Sequence, residues 1–435
     1  MKYLILVPDG AADVLTDDEL TPLEAAHMPT INGLAKRGRI GLVRTIPRGV
    51  PPGSDAANLA VLGYDPKSDL TGRSPLEAVS MGIELGDRDV AFRTNFVTLA
   101  ETEAAGAGKG AAAYEKLTIL DHASGDISDD EARELIEYID AEIGAGDPEN
   151  DGRLRFYPGV SYRHAFIVRD GPLTRSGVGD VFADYQSYAL IPPHDILGRQ
   201  IGLYLPDKEN EKYLLAMMKK SYELLKDHEV NRARIANGLR PANSIWIWGE
   251  GRKPMLAPIT EKYGVTGAVI SAVDLIKGIG ICAGLEPIKV EGATGTITTN
   301  FRGKGMAATE AFERGKDLAY IHVEAPDECA HQGSRADKIT SLEEIDAEVV
   351  APILDWLEKN RERTGEEYRI LIVPDHRTPV VIRTHTDEPV PYVLFDSAAA
   401  QAGAIDERLA FTERAAVAGV PIHSGRELAD AFFAP

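Results

Sequence analysis

Three aspartates stand where they could bind metal ions. Asp9 follows the apolar run YLILVP at 3–8, Asp375 follows ILIVP at 370–374, and Asp327 ends LAYIHVEAPD at 318–327. Such runs are typical of strands buried on both faces of a parallel sheet. Because ligands bind outside the carboxyl ends of parallel strands, three acids at this one topological position predict a shared site.

Histidines accompany two of these acids. Asp327 and His331 are four residues apart in DECAH, so on a helical turn both point to one side. Carboxylate oxygens and imidazole nitrogens are ligands that divalent metals prefer. An isolated pair of this kind is usually surface polarity, but six such residues are enough for two metal ions: Asp9, Asp327, His331, Asp375, His376 and His385.

Ser54 is a candidate nucleophile, in the segment VPPGSDAANLAVLG at 50–63. A serine at a helix N-terminus beside a metal ion could lose its proton and attack phosphorus. A serine at this position is more often a plain N-cap that accepts a backbone hydrogen bond. The residues by themselves leave both interpretations open.

Phosphate and carboxylate groups need cationic partners, and this chain is acidic, with a formal net charge of −21. Arginine binds such groups with a bidentate fork, so the candidate substrate-binding residues are Arg73, Arg93, Arg163 and Lys338. Each of them alone is more often a solvated charge.

Further catalytic candidates lie in the middle of the chain. His164 follows Arg163 in VSYRHAF, and we take both as catalytic candidates. His194 and Asp195 are adjacent in the Pro-rich turn IPPHDILG, where the pair could move a proton or simply brace the loop.

Several other functions are disfavoured. The acidic composition argues against nucleic-acid and anionic-membrane partners, and no apolar run approaches the ~20 residues of a membrane-spanning helix. GAGKG at 106–110 lacks the hydroxyl residue and spacing of a P-loop, and no GxSxG elbow occurs. Cys282 and Cys329 make no disulfide framework, and the N-terminus does not read as a signal peptide, so we expect a cytoplasmic protein.

Alternating strands and helices predict an α/β fold. Capping-box patterns predict helices that begin at Ser128 and at Ser341, a third helix is expected near 211–227, and the Gly/Ala-rich segment 100–113 is expected to be a loop or linker. The strand-end acids lie at the two extremes of the chain. We therefore expect a discontinuous domain of residues 1–78 and 258–435, with residues 79–257 inserted.

The sequence resembles the archaeal-type branch of the cofactor-independent phosphoglycerate mutases, over nearly its whole length and in family order. The matching motifs include VPDGAAD at 7–13, PPGSDAANLAVLGYDP at 51–66, GRSPLEA at 72–78, GVSYRH at 159–164, PPHDILG at 192–198, VEAPDECAHQG at 323–333 and PDHRTPVVIRTHTDEPVPY at 374–392.

The resemblance implies an alkaline-phosphatase-like core with a mostly parallel sheet between helices, plus an inserted α/β or α+β transferase domain. It implies one metal ion held by Asp327, His331 and His385, and a second held by Asp9, Ser54, Asp375 and His376. Ser54 would be transiently phosphorylated during the interconversion of 3- and 2-phosphoglycerate, a small phosphorylated carboxylate. The metal is commonly Mn²⁺, sometimes Mg²⁺ or Zn²⁺, and no bisphosphoglycerate is needed.

Two positions depart from the family pattern. Arg377 stands where the family usually has glycine, and Asn58 where archaeal members often have histidine. Other relatives of this subgroup are proposed homoserine kinases, so a related phosphotransferase or phosphatase on another small substrate is the alternative function. A non-catalytic metal-binding protein on the same fold is disfavoured because the ligand-type residues and Ser54 are all present.

Overall fold

The structure, a computed structural model of the chain, describes residues 1–16, 18–101, 113–175, 179–182, 184–400 and 405–434. Most of the Gly/Ala-rich segment predicted to be a loop, including GAGKG at 106–110, lies outside the described residues.

The chain divides into two compact units. The core unit comprises Met1–Leu70 and Pro254–Pro435, and the inserted unit comprises Thr71–Lys253. Each junction lies a few residues before the boundary expected from the motifs, which stood at residues 78 and 257. Helix α5, which carries the end of the GRSPLEA motif, therefore belongs to the inserted unit.

The strands, in chain order, are β1 Lys2–Pro8, β2 Arg39–Val43, β3 Val90–Ala100, β4 Thr118–Asp121, β5 Leu154–Tyr157, β6 Arg163–Val168, β7 Leu173–Arg175, β8 Gly179–Val181, β9 Ser244–Gly251, β10 Gly267–Ile270, β11 Glu286–Ile288, β12 Leu318–Val323, β13 Tyr368–Ile372 and β14 Val390–Asp396.

The helices are α1 Pro22–Ala25, α2 Pro29–Arg37, α3 Ser54–Val61, α4 Pro66–Asp69, α5 Ser74–Ser80, α6 Asp129–Ile143, α7 Lys212–Leu225, α8 Glu229–Ala236, α9 Ile259–Tyr263, α10 Asp274–Cys282, α11 Phe301–Glu313, α12 Ala325–His331, α13 Arg335–Glu344, α14 Ala351–Thr364, α15 Ser397–Ala400, α16 Glu413–Val417 and α17 Gly425–Phe433, and a π-helical segment, Ile345–Val350, joins α13 to α14.

The core unit is built on a seven-stranded sheet in the order β11-β10-β12-β1-β13-β14-β2. The first five strands run parallel, and β14 and β2 are antiparallel to their neighbours. A mostly parallel sheet was expected, and this expectation is confirmed. The three predicted strands β12, β1 and β13 are adjacent, so the segments after them emerge at one edge of the sheet.

Burial explains why these strands have uninterrupted apolar sequences. All six residues of β12 are buried, and six of the seven in β1. Residues of β1, β12 and β13 pack with those of α2, α11 and the α13–π–α14 segment in one hydrophobic cluster. This cluster covers one face, and because the alternate residues that point to the other face are buried as well, both faces of this part of the sheet are covered, as in most parallel sheets.

The helix predictions had mixed outcomes. Ser128 caps α6 as predicted, and its hydroxyl accepts the backbone N–H of Glu131. The helix predicted at 211–227 is α7. The helix start predicted at Ser341 is wrong: Ser341 lies inside α13, and Ser334 caps that helix. The Ser341 hydroxyl is buried and donates to the carbonyl of Lys338, so the local pattern there reflects an interior turn.

The inserted unit has an α+β arrangement. In its sheet β3 pairs with β9 on one side and with β6 and β4 on the other, and β5 pairs with β6, all antiparallel. Helices α6 and α7 pack with this sheet in a second hydrophobic cluster. Among the described residues, no helix is long and apolar enough to cross a membrane.

Candidate metal centre

The first ligand group forms where α12 follows β12. Asp327 and His331, one turn apart on α12, approach with 3.2 Å between Oδ2 and Nε2. His385 Nε2 lies 3.4 Å from Asp327 Oδ1 and 3.0 Å from His331 Nε2. The other ring nitrogen of His331, Nδ1, lies 2.9 Å from the Arg383 carbonyl, to which it donates as an N–H, so Nε2 is left to face the group.

The second ligand group lies at the carboxyl ends of β1 and β13. Asp9, Asp375 and His376 bring one ligand atom each within 4.8 Å of one another, and all three residues are buried. Oδ1 of Asp9 is buried and finds no hydrogen-bond partner among the described residues. A buried carboxylate oxygen without a partner is costly, and a cation would satisfy it.

Ser54 belongs to this second group by position. It is the first residue of α3, and Gly53 occupies the N-cap position, so Ser54 is not the N-cap of this helix. Its Oγ lies 3.1 Å from His376 Nε2. The plain capping interpretation therefore fails, because the hydroxyl is directed at a candidate ligand.

Two further polar side chains, Thr378 and Asn58, hold the ligands in place. The Thr378 hydroxyl donates to Asp327 Oδ1 at 2.5 Å and lies 3.2 Å from His376 Nδ1, so it links the two groups. Asn58 donates through Nδ2 to Asp375 Oδ2 at 3.1 Å. The phenol of Tyr320 donates to Asn58 Oδ1, which fixes the orientation of the amide.

Gly10 lets the backbone pass close to the centre. Its φ of +59° lies in the left-handed region, which is energetically unfavourable for residues that have a Cβ. Its N–H donates to Asp375 Oδ1 at 3.1 Å. A Cβ here would lie 2.6 Å from both Asp327 Oδ1 and Thr378 Oγ1, so only glycine fits.

The electrostatics of the two groups differ. Burial, together with the neighbouring Asp375 and Asp327, raises the pKa of Asp9 well above its ordinary value. Burial also opposes ionisation of Asp327, but contacts with His331 and His385 outweigh it and hold its pKa far below the usual range. In return Asp327 raises the pKa of His331 to about 9.

Three further titratable side chains surround Asp9. His322 Nε2 lies 2.9 Å from Asp9 Oδ2, and burial lowers its pKa to about 4. Burial raises the pKa of Glu324 to about 7, with help from nearby Asp327. Lys304 on α11 is fully buried and donates to the His322 carbonyl at 3.3 Å, and burial lowers its pKa to about 8. None of these three stood out in the sequence.

Both groups fit divalent cations. Each offers oxygen and nitrogen donors of the types that such metals take. Crowding the buried carboxylates of Asp9, Asp327 and Asp375 is unfavourable unless positive charge is added. The orphaned Asp9 oxygen and the convergent histidines give that charge a place to bind.

Lys338 is engaged elsewhere. It is fully buried, lies 3.2 Å from Asp13 Oδ2, and donates to the carbonyls of Thr378 and Ala12 at 2.8 and 3.4 Å. An ammonium has three N–H donors, and all three have internal acceptors. This contradicts the expectation that Lys338 binds substrate; it is a buried structural cation instead.

In the inserted unit, several of the predicted residues form an aromatic-lined cluster. The Arg93 guanidinium lies 4.7 Å from the Trp248 ring centre and is paired with Glu77. The Trp248 ring is 5.4 Å from that of His194, which is 6.1 Å from His122. His194 and Asp195 are both exposed, 3.7 Å apart.

The remaining predicted residues divide by burial. Arg163 is exposed and stacks over Tyr162, and Arg73 is exposed at the start of α5. His164 lies on the opposite face of β6, buried against Phe96, and burial lowers its pKa to about 3. Its Nδ1 accepts the backbone N–H of Gly159 at 3.2 Å, and a catalytic role for His164 stays a prediction.

Comparisons with known proteins agree with the resemblance. A family model described as 2,3-bisphosphoglycerate-independent phosphoglycerate mutase matches residues 35–231. The chain is 48% identical over 397 residues to a probable 2,3-bisphosphoglycerate-independent phosphoglycerate mutase of Geobacter sulfurreducens, covering 91% of this chain and 90% of the relative. A Methanosarcina barkeri mutase of the same description is 45% identical with the same coverage. The chain belongs to the 2,3-bisphosphoglycerate-independent phosphoglycerate mutase family.

A solved structure supports the same fold. A protein from Pyrococcus horikoshii is similar with a TM-score of 0.74 and 26% identity, over 99% of this chain and 96% of that chain.

The structure accounts for both departures from the usual pattern of this mutase family. The Arg377 guanidinium donates to the carbonyls of Asp13 and Pro389, at 2.7 and 2.9 Å, and so is directed at backbone oxygens. It braces the loop that carries His385, since the backbones of Arg377 and Thr386 also form a bridge. Asn58 retains a role at the centre through its hydrogen bond to Asp375.

Proposed function

We propose that the protein interconverts 3-phosphoglycerate and 2-phosphoglycerate through a phosphoserine at Ser54, with two divalent metal ions and without bisphosphoglycerate. The observation that carries this proposal is the position of Ser54 Oγ, 3.1 Å from His376 Nε2 and at the start of α3. Membership of the mutase family supports the substrate.

The reaction would proceed in two displacements. Ser54 Oγ loses its proton and attacks the phosphorus of 3-phosphoglycerate, the bond from phosphorus to the C3 oxygen breaks, and that oxygen takes a proton. The glycerate then reorients, its C2 hydroxyl loses a proton and attacks the phosphoserine, the bond from phosphorus to Ser54 Oγ breaks, and Oγ takes a proton. Both steps conserve the phosphoryl group, so no net proton or phosphate is consumed.

The ligand assignment follows the two groups. We propose Asp327, His331 and His385 for one ion, and Asp9, Asp375 and His376 together with Ser54 for the other. Divalent cations there would supply charge that stabilises the attacking and leaving oxygens. Manganese is the proposed metal, with Mg²⁺ or Zn²⁺ as substitutes.

The chain's own residues prepare the serine. Because Ser54 begins α3, its oxygen and a phosphoryl group bound to it lie at the positive end of the helix dipole, which favours negative charge on both. Asn58 lies one turn later. Its Oδ1 accepts a hydrogen bond from the Tyr320 hydroxyl, and its Nδ2 donates to Asp375 and to the Ser54 carbonyl. These hydrogen bonds connect α3 to the second ligand group. This preorganisation avoids rearrangement during transfer.

Arg73, Arg93 and Arg163 remain proposed ligands for the substrate's phosphate and carboxylate groups, and His194 with Asp195 a proposed proton-transfer pair. The stacking of Arg93 on Trp248 limits its side-chain freedom, which lowers the entropic cost of binding an anion. Homoserine phosphorylation is not favoured by the relatives.

An enolase-coupled assay tests the function. Metal-stripped protein is given 3-phosphoglycerate without bisphosphoglycerate, and phosphoenolpyruvate formation is followed before and after Mn²⁺ is added. We expect activity only with the metal. Release of free phosphate alone, or no reaction with any of the three metals, would refute the mutase assignment.

A further inference from the structure

The core unit contains a cationic cavity outside the ligand groups. Its volume is about 490 Å³, and it lies between the segment that follows β2, the turn between α3 and α4, and the start of α17. Four cationic side chains line it, namely Arg44, Arg48, Lys67 and Arg426, with His423 and Tyr64 beside them. Asp65 is the single carboxylate residue in this lining.

Such a concentration of positive charge is unusual for this chain, which has 68 acidic and 47 basic residues. Arg44 is paired with Asp387, since its Nη1 donates to the Asp387 carbonyl at 2.6 Å and lies 3.7 Å from the carboxylate oxygen Oδ2. Within the described part of the chain, no carboxylate forms an ion pair with Arg48, Lys67 or Arg426. Asp65 uses its side chain to cap α4 by accepting the Lys67 N–H.

The size and chemistry of the cavity indicate its ligand. A volume of this order suits a small molecule rather than a polymer, since such sites typically span about 300–1,000 Å³. Guanidinium groups bind phosphate oxygens in bidentate fashion, and several of them together favour a ligand with more than one negative charge. We propose that this cavity is a second anion site, which binds a small polyanion carrying phosphate groups.

The site is separate from the metal centre but connected to it. Ala60 lines the cavity from α3, the helix that begins at Ser54. Thr45, also in the lining, donates its hydroxyl to the Asp375 carbonyl at 2.5 Å. Arg44 holds the main chain of Asp387, close in sequence to His385. An anion that draws Arg44 or Thr45 toward itself would act on these segments directly.

Pyrophosphate is the probe for the test, titrated calorimetrically into the full-length protein in EDTA. Without metal ions the carboxylates of the centre repel anions, so binding there is suppressed. We expect saturable 1:1 binding, weakened at least about tenfold in Arg48→Gln/Arg426→Gln, because two charge-assisted contacts are lost. Lys67→Gln should weaken binding in the same direction.

Two controls give the test its specificity. Lys220→Gln/Arg232→Gln removes the same charge from exposed positions of the inserted unit and should leave the affinity unchanged. Arg163→Gln, which alters a proposed substrate ligand, should also leave it unchanged. Failure of the wild-type protein to bind pyrophosphate at millimolar concentration, or equal binding by the cavity variant, would overturn the proposal. The outcome does not depend on whether the protein is a mutase.

Discussion

The buried ammonium of Lys304 gives a quantitative prediction. Burial lowers its pKa from 10.5 to about 8, although Glu324 and Asp9 attract its charge. Desolvation therefore outweighs attraction, and the difference corresponds to about 3 kcal/mol of folding free energy lost at pH 6.5. Lys304→Met keeps the shape of the side chain without the charge, so the metal-free variant avoids the cost of burying an ammonium and should be more stable than the wild type by about this amount.

The pH dependence has a definite sign. A lysine whose pKa is lowered on folding binds fewer protons in the folded state, so wild-type stability rises as pH increases from 8 toward 10.5. The advantage of the variant should therefore shrink from about 3 kcal/mol at pH 6.5 to about 2 kcal/mol at pH 9.

Urea unfolding in EDTA measures this effect at both pH values. In a Trp246→Phe/Trp248→Phe background the remaining tryptophan, Trp356, reports on the core unit alone. Lys359→Met, at an exposed lysine of the same unit, is the control and should change stability by less than about 1 kcal/mol. A Lys304→Met protein less stable than wild type at pH 6.5 would refute the reasoning and show that attraction to the carboxylates dominates.

Three further predictions concern the metal centre. Ser54→Ala should abolish mutase activity in the coupled assay while the protein, analysed for bound metal, still contains at least the ion at Asp327; full activity would exclude Ser54 as nucleophile. Gly10→Ala should weaken Mn²⁺ binding, measured by calorimetry, about tenfold or more, since the added Cβ would lie 2.6 Å from Asp327 Oδ1. Gly365→Ala is the matched control, because Gly365 also has a positive φ, +74°, but has open space around it. This control variant should bind Mn²⁺ as the wild type does. Because the pKa of His331 is about 9 in the metal-free protein, Mn²⁺ must displace a proton from it. The affinity for Mn²⁺ should therefore rise about tenfold per pH unit from pH 7 to pH 9. Calorimetry in two buffers of different ionisation enthalpy measures the protons released, and a value of zero would contradict this prediction.

The candidate site could be predicted from the sequence where one local rule determines a spatial outcome. An apolar run that ends in an acid fixes both the strand and the sheet edge at which the acid emerges, so Asp9, Asp327 and Asp375 could be grouped before any coordinates. The helical spacing of Asp327 and His331 likewise fixes their shared side.

A residue's role could not be predicted where its decisive partner is remote in sequence. Lysine is a residue type that often binds anions, so Lys338 was a reasonable candidate. Only the position of Asp13, more than 300 residues earlier in the chain, reveals that the N–H donors of Lys338 are already used. Thr378 and Asn58 carry no spacing signal because each is defined by what it touches. Ser341 shows the same limit for helices, since a capping pattern cannot be told from an interior turn without knowing that Ser334 begins the helix.

The order of the strands has a consequence for how the centre forms. β1 lies between β12 and β13, so the first strand of the chain is hydrogen-bonded on both sides to strands that lie more than 300 residues later. Asp9 can therefore meet Asp375 only after β13, late in the chain, has been made and has paired with β1. Contacts between residues so far apart in sequence form slowly, because closing a long loop costs conformational entropy before any contact is gained. Metal ions bind only when all the ligands have come together. Metal binding therefore stabilises the folded state, in which β1 lies between β12 and β13.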